Sequence, residues 1–85
     1  MNNYYVYILK CRDNTLYTGI TTDLENRLKK HNSGVGAKYT RGRTPVELMY
    51  YESGLDKSQA LKREIAIKKL TRIKKEKLIE NFNKK

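Results

Sequence analysis

Tyr7, Tyr17, Arg27, His31 and Glu64 are of types that phosphodiester hydrolysis can use. That reaction requires an activated water, neutralisation of the charge growing on phosphate, and help for the leaving oxygen. Arg27 is permanently charged, and its fork of donors matches phosphate oxygens. Tyr7 and Tyr17 are candidates for moving the nucleophile's proton. A free phenol, with a pKa of about 10, is a poor base at neutral pH, but a nearby guanidinium and a metal ion both stabilise a phenolate. His31 can orient a tyrosine, contact phosphate or relay a proton. Glu64 can hold one Mg²⁺ or Mn²⁺; these ions take oxygen ligands and keep several waters, so a single protein carboxylate suffices when substrate oxygens complete the shell. Plainer roles compete: packing tyrosines, a structural histidine, an Arg–Glu salt bridge. No His/Cys cluster has zinc spacing, and no Gly-rich phosphate loop fits between a strand and a helix.

The elements that must position these groups are readable in part. Tyr5-Val6-Tyr7-Ile8-Leu9 is β-branched, aromatic and apolar, as strands are, and Leu16 to Thr21 is a second such run. Asp13-Asn14 supplies turn chemistry between them, which predicts a β-hairpin. Side chains alternate faces, so a connecting loop with an odd number of residues puts Tyr7 and Tyr17 on one face. A two-residue turn at Asp13-Asn14 would separate them. Thr22-Asp23-Leu24-Glu25 reads as a capping box with Thr22 as N-cap, opening a helix from about Asp23 to Asn32 or Ser33, with Gly34 as C′. Leu24 and Leu28 are its expected buried stripe, with Arg27 and His31 on the stripe's edge.

Gly34 to Thr44 is a basic, glycine-containing segment in which Lys38, Arg41 and Arg43 can meet phosphates and Tyr39 can stack on a base. Val46 to Tyr51 reads as a third strand opened by Pro45 and ended by Gly54. Asp56, with Gln59 three residues on, caps a helix from about Lys57 to Lys69. On its wheel Ala60, Leu61, Ile65 and Ile67 form an arc that contains Glu64. A carboxylate there needs a partner, either Lys68 one turn later or a metal ion. Thr71 caps a last helix through about Asn81, whose apolar face is Ile73, Leu78, Ile79 and Phe82.

Eighty-five residues predict one domain, 1–85, with a thin core. The net charge of +10, from 19 Lys+Arg against 9 Asp+Glu, favours a polyanionic partner, most simply nucleic acid, over an anionic membrane surface. No run approaches the roughly 20 apolar residues of a membrane span. The strand-like N-terminus lacks signal-peptide shape, and Cys11 is the only cysteine, read as a small buried hydrophobe. A reducing, cytoplasmic setting is expected.

The ordered set Tyr5-Val6-Tyr7, Tyr17-Thr18-Gly19, Arg27, His31 and Glu64 resembles the GIY-YIG nuclease superfamily, with Tyr5 standing where the first motif has glycine. The likeness extends through Asn32-Ser33-Gly34, Gly36-Ala37-Lys38-Tyr39-Thr40 and Lys68-Lys69-Leu70-Thr71-Arg72. It is greatest to the superfamily's small stand-alone bacterial group. The resemblance implies an α+β (α/β) fold, a small three-stranded antiparallel sheet flanked by helices. It also implies single-metal endonuclease cleavage of nucleic acid, DNA first, in repair or recombination. By that likeness Tyr7 and Tyr17 are the motif tyrosines, Gly19 the motif's closing glycine, Arg27 the phosphate-facing arginine, His31 the residue one turn later, and Glu64 the metal ligand. Asn81 lies too far from Glu64 to match a later asparagine of several relatives. Larger relatives carry targeting domains, so a protein partner for targeting is a corresponding expectation. The alternatives are a basic nucleic-acid-binding module that does not cut and a ribonucleoprotein component.

Overall fold

A computed structural model describes residues 2–34 and 40–84. The elements in order are β1 (Tyr4–Lys10), β2 (Leu16–Thr21), α1 (Leu24–Asn32), β3 (Glu47–Leu55), α2 (Lys57–Lys68) and α3 (Arg72–Asn83). The strands form one antiparallel sheet in the order β2-β1-β3. The most continuously apolar strand takes the centre, because only there are both faces covered. Val6 and Ile8 pack on one face with Ile67 of α2 and Ile79 of α3. Tyr7 and Leu9 pack on the other with Cys11, Val46, and Leu24 and Leu28 of α1. The three-stranded α+β architecture implied by the resemblance is therefore present.

Lys10 pairs with Leu16, so residues 11–15 form the hairpin loop, and its five residues are an odd number. Asn14 adopts φ 71°, and the Asp13 carboxylate accepts from the backbone and hydroxyl of Thr15. The register sets Tyr7 opposite Gly19 and Leu9 opposite Tyr17. Tyr7 and Tyr17 thus share a face, with ring centroids 6.4 Å apart. A Cβ at position 19 would lie 2.6 Å from Tyr7 Oη, 2.8 Å from its Cζ and 3.1 Å from Tyr17 Cε2. Gly19 is required here for close approach, because the Tyr7 ring lies across it. Gly19→Ala is expected to displace that ring and lower unfolding free energy by about 1–3 kcal/mol in urea denaturation. An unchanged midpoint would show that the ring has room to move.

The N-cap of α1 is Asp23, not the expected Thr22: its carboxylate accepts from Asn26 N–H at 3.1 Å. β2 runs on to Thr21, whose hydroxyl accepts the Asp23 N–H at 3.1 Å, and the helix starts after that turn. Gly34, at φ +86°, donates to the His31 carbonyl at 3.2 Å, as a C′ glycine does. Leu24 and Leu28 are only half-buried; His31, expected at the stripe's edge, is the fully buried residue of α1.

β3 is longer than expected and passes through Gly54, at φ +75°, rather than stopping there. Between the pairs Val6–Glu52 and Tyr4–Leu55, β3 holds one residue more than β1, and it does so again between Ile8–Tyr50 and Leu9–Leu48. These bulges absorb the extra length. Val46 precedes the strand and is clamped by Asn32, whose side chain accepts from Val46 N–H at 2.7 Å and donates to its carbonyl at 3.3 Å. That clamp ties the C-terminal end of α1 to the approach to β3.

The Asp56–Gln59 capping box opens α2 as expected. Its apolar arc divides: Ala60 and Ile67 are buried, but Leu61 and Ile65 are 40% and 54% exposed. The face turned to the sheet is 60, 64 and 67, at i, i+4 and i+7, which puts Glu64 between two core residues. Thr71 caps α3, where Leu78, Ile79 and Phe82 pack and Ile73 stays 68% exposed. Cys11 is buried and unpaired, just beyond β1 rather than within it. Among the described residues no helix is long and apolar enough to cross a membrane.

Candidate active site

The Tyr7 hydroxyl is the centre of the site. It lies 3.1 Å from His31 Nε2, and Arg27 Nε donates to it at 3.4 Å. The sheet supplies Tyr7, while Arg27 and His31, one turn apart on α1, reach down to it. The Tyr17 ring completes the cluster, 5.4 Å from the His31 ring. On its other side His31 Nδ1 is 2.7 Å from Thr40 Oγ1. Tyr7, His31 and Thr40 are all at most 1% exposed. A neutral imidazole has one donor and one acceptor nitrogen, so the tyrosine, histidine and threonine form a directional chain of hydrogen bonds.

Burial pushes the Tyr7 phenol above its ordinary value, the Arg27 bond pulls the other way, and the charges of Tyr17 and Glu64 add to the rise. The same bond to Tyr7 holds the Arg27 guanidinium more firmly charged. Burial and then the Arg27 charge push His31 down to about 4. At neutral pH the resting site therefore holds a phenol, a guanidinium and a neutral imidazole. His31 is the only histidine. The unfolded chain protonates it below about 6.5 and the folded chain does not until about 4, so the unfolded state gains protons first as pH falls. Thermal stability is expected to be fully present above pH 6.5 and to decline toward pH 4. A melting temperature that is flat from pH 7 to 5 would show that His31 is not held neutral.

Glu64 reaches the same region from α2, close enough for its charge to act on Tyr7. Its side chain is 19% exposed and pairs with Lys68 Nζ at 3.4 Å, one of the two partners its position allowed. Among the described residues no group of three or more His, Cys, Asp or Glu side chains could hold a metal ion. A lone carboxylate is the donor set suited to a hard cation that takes one carboxylate oxygen and fills its shell with water and substrate.

A cavity of about 260 Å³ opens beside Arg27, bordered by Thr21, Asp23, Asn26 and Lys30. Lys38 and Tyr39 lie outside the described residues. Arg41 is exposed, and Arg43 bonds Asp13 Oδ2 at 2.9 Å, bracing the hairpin turn. Asn81, on α3, borders a different cavity with Tyr50, Tyr51 and Phe82. Thr40 and Asn32 are not among the candidate site residues of the sequence. Both act through hydrogen bonds to distant parts of the chain, which leave no periodic signal; their places in the Asn32–Gly34 and Gly36–Thr40 segments of the likeness are the signal that marks them.

A family model described as the GIY-YIG catalytic domain matches residues 3–77. The chain belongs to the GIY-YIG family. It is 58% identical to a UPF0213 protein of Haloquadratum walsbyi, over 94% of this chain and 91% of that one. It is 60% identical to a UPF0213 protein of Clostridium perfringens, over 91% of this chain and 83% of that one. The small relatives therefore include archaeal as well as bacterial chains. The solution NMR structure of UPF0213 protein BH0048 from Bacillus halodurans is similar with a TM-score of 0.59 and 51% identity, covering 94% of this chain and 84% of that one. That of EF2693 from E. faecalis has a TM-score of 0.63 and 44% identity, covering all of this chain and 94% of that one. Within this GIY-YIG domain, Tyr7, Tyr17, Gly19, Arg27 and His31 form one contiguous cluster, with Glu64 within electrostatic reach.

Proposed function

We propose that this GIY-YIG domain is a metal-dependent endonuclease that hydrolyses nucleic-acid phosphodiester bonds, with DNA as its first substrate. The observation that carries the reading is the Tyr7 hydroxyl, buried between Arg27 and His31 with a carboxylate within electrostatic reach. Glu64 would hold one Mg²⁺ or Mn²⁺, which would supply Lewis-acid neutralisation of the phosphate. Arg27, bordering the open cavity, binds and orients the phosphate through its remaining N–H donors. Tyr7 holds or moves a proton at Oη, and His31 Nε2 either takes a hydrogen bond from that oxygen or gives one to it. Thr40 fixes which, by accepting from Nδ1–H or donating to Nδ1. Gly19 keeps the Tyr7 ring in place. Repair or recombination is the corresponding setting, with a protein partner for targeting.

The test is a panel of single-stranded, duplex, flap and branched DNAs with RNA counterparts, at low salt, with Mg²⁺ or Mn²⁺ and with chelator. Cleavage that needs the metal and stops with chelator supports the reading, and the panel names the substrate. Binding of every member with no cutting would instead support the non-catalytic module, which the +10 charge favours equally.

A further inference from the structure

A second cavity adjoins the site on the far side of Tyr17. It measures about 270 Å³ and is bordered by Leu16, Tyr17, Thr18, Lys68 and Lys75. β2 is an edge strand; its residues Leu16, Tyr17 and Thr18 form one wall of the cavity, and Lys68 of α2 and Lys75 of α3 form the other. Tyr17 is a wall shared with the His31–Tyr7 cluster, and Lys68 is shared with Glu64.

Three observations here are unexplained by the fold. Lys75 is half-buried yet makes no ion pair among the described residues. A lysine on a cavity wall without a carboxylate partner leaves its ammonium donors available to an anion. Thr18 is 3% exposed, and its hydroxyl has no hydrogen-bond partner among the described residues. A buried hydroxyl left unpaired also costs free energy, and native structures hold few of them. Third, Lys68 and Lys75 line this cavity together with Tyr17, whose ring packs against His31.

We propose that this cavity is a subsite for the phosphate next to the one held by Arg27, with Lys75 as its principal contact, Lys68 beside it, and Leu16 and Tyr17 receiving the attached sugar. The inference rests on the nuclease reading for the position of the first phosphate. It adds the path of the strand, across Tyr17 and over the β2 edge, and a minimum ligand of two consecutive phosphodiesters.

The test is an NMR titration of the ¹⁵N-labelled chain, without divalent metal, using a dinucleotide with one phosphodiester and a trinucleotide with two. Wild type is expected to bind the trinucleotide about fivefold more tightly, with new shifts at the Thr18 and Lys75 amides. In Lys75→Met that gain should fall to less than about twofold, while Lys75→Arg and Lys77→Met, an exposed lysine of the same helix, keep it. Full retention of the gain in Lys75→Met, or an equal loss in Lys77→Met, would overturn the subsite. Cutting is not read here, so absence of nuclease activity leaves the result interpretable. Dinucleotide affinity in Arg27→Ala, read in parallel, reports the first phosphate separately.

Discussion

Glu64→Gln is expected to lower cleavage on the order of 10³-fold or more while leaving nucleic-acid binding intact or slightly tighter. The substitution keeps shape and removes one negative charge. Glu64 is the carboxylate whose charge acts on Tyr7, and it stands in no group of three or more acidic or metal-ligating side chains among the described residues. Loss of a metal's contribution to transition-state charge, about 4 kcal/mol, corresponds to roughly that factor. Stability should scarcely change. The Lys68 pair lost with it is an i,i+4 contact whose lysine is half in water, worth roughly 0.5 kcal/mol at most. Binding should hold because a carboxylate beside phosphate opposes association when no cation is present. Anisotropy of a labelled substrate and a gel-based cleavage assay measure the two properties on the same protein. Wild-type cleavage by Glu64→Gln would remove Glu64 from the metal's coordination and with it the proposed chemistry.

Tyr7→Phe should also cost about 10²–10⁴ in cleavage rate, the range for a positioned acid–base group. The ring remains to pack against Gly19 and Leu9, so the fold survives, but Arg27 and His31 both lose their shared oxygen. The pH profile distinguishes a chemical role from mere placement. Burial raises the Tyr7 pKa, so at neutral pH little phenolate is present. If Tyr7 acts as the base, its ionised fraction rises tenfold per pH unit below that pKa, and wild-type cleavage should climb from pH 7 to 9. The Phe variant should lose that slope along with the rate. A Phe variant that is slow but keeps the full climb would move proton transfer elsewhere and leave Tyr7 to orient Arg27. Arginine at 27 donates to the Tyr7 oxygen and, in the proposed chemistry, has further donors in the same plane for a phosphate, which lysine would not.

Much of this domain is local in origin, and local features are legible. The hairpin follows from two β-branched runs around Asp13-Asn14, the capping box of α2 from Asp56 and Gln59, and the caps at Gly34 and Thr71 from their residue types. The net charge, the candidate set of Tyr7, Tyr17, Arg27, His31 and Glu64, and the family likeness were likewise readable without coordinates. What local chemistry left open was parity: Tyr7 and Tyr17 share a face only because five residues, and not two, close the hairpin. Asp23 replaced Thr22 as a cap because a turn after β2, closed by the Thr21 hydroxyl on the Asp23 N–H, starts the helix one residue later than the capping pattern implied. The wheel of α2 put Ala60, Leu61, Ile65 and Ile67 on one arc and could not say which part of it meets the sheet; Leu61 and Ile65 lie largely in water, and Glu64 lies between Ala60 and Ile67. His31 and Thr40 are the clearest case. Polar residues carry no burial signal in a sequence. Their complete enclosure follows from hydrogen bonds made across distant parts of the chain, and only the packing of α1 on the sheet could decide that.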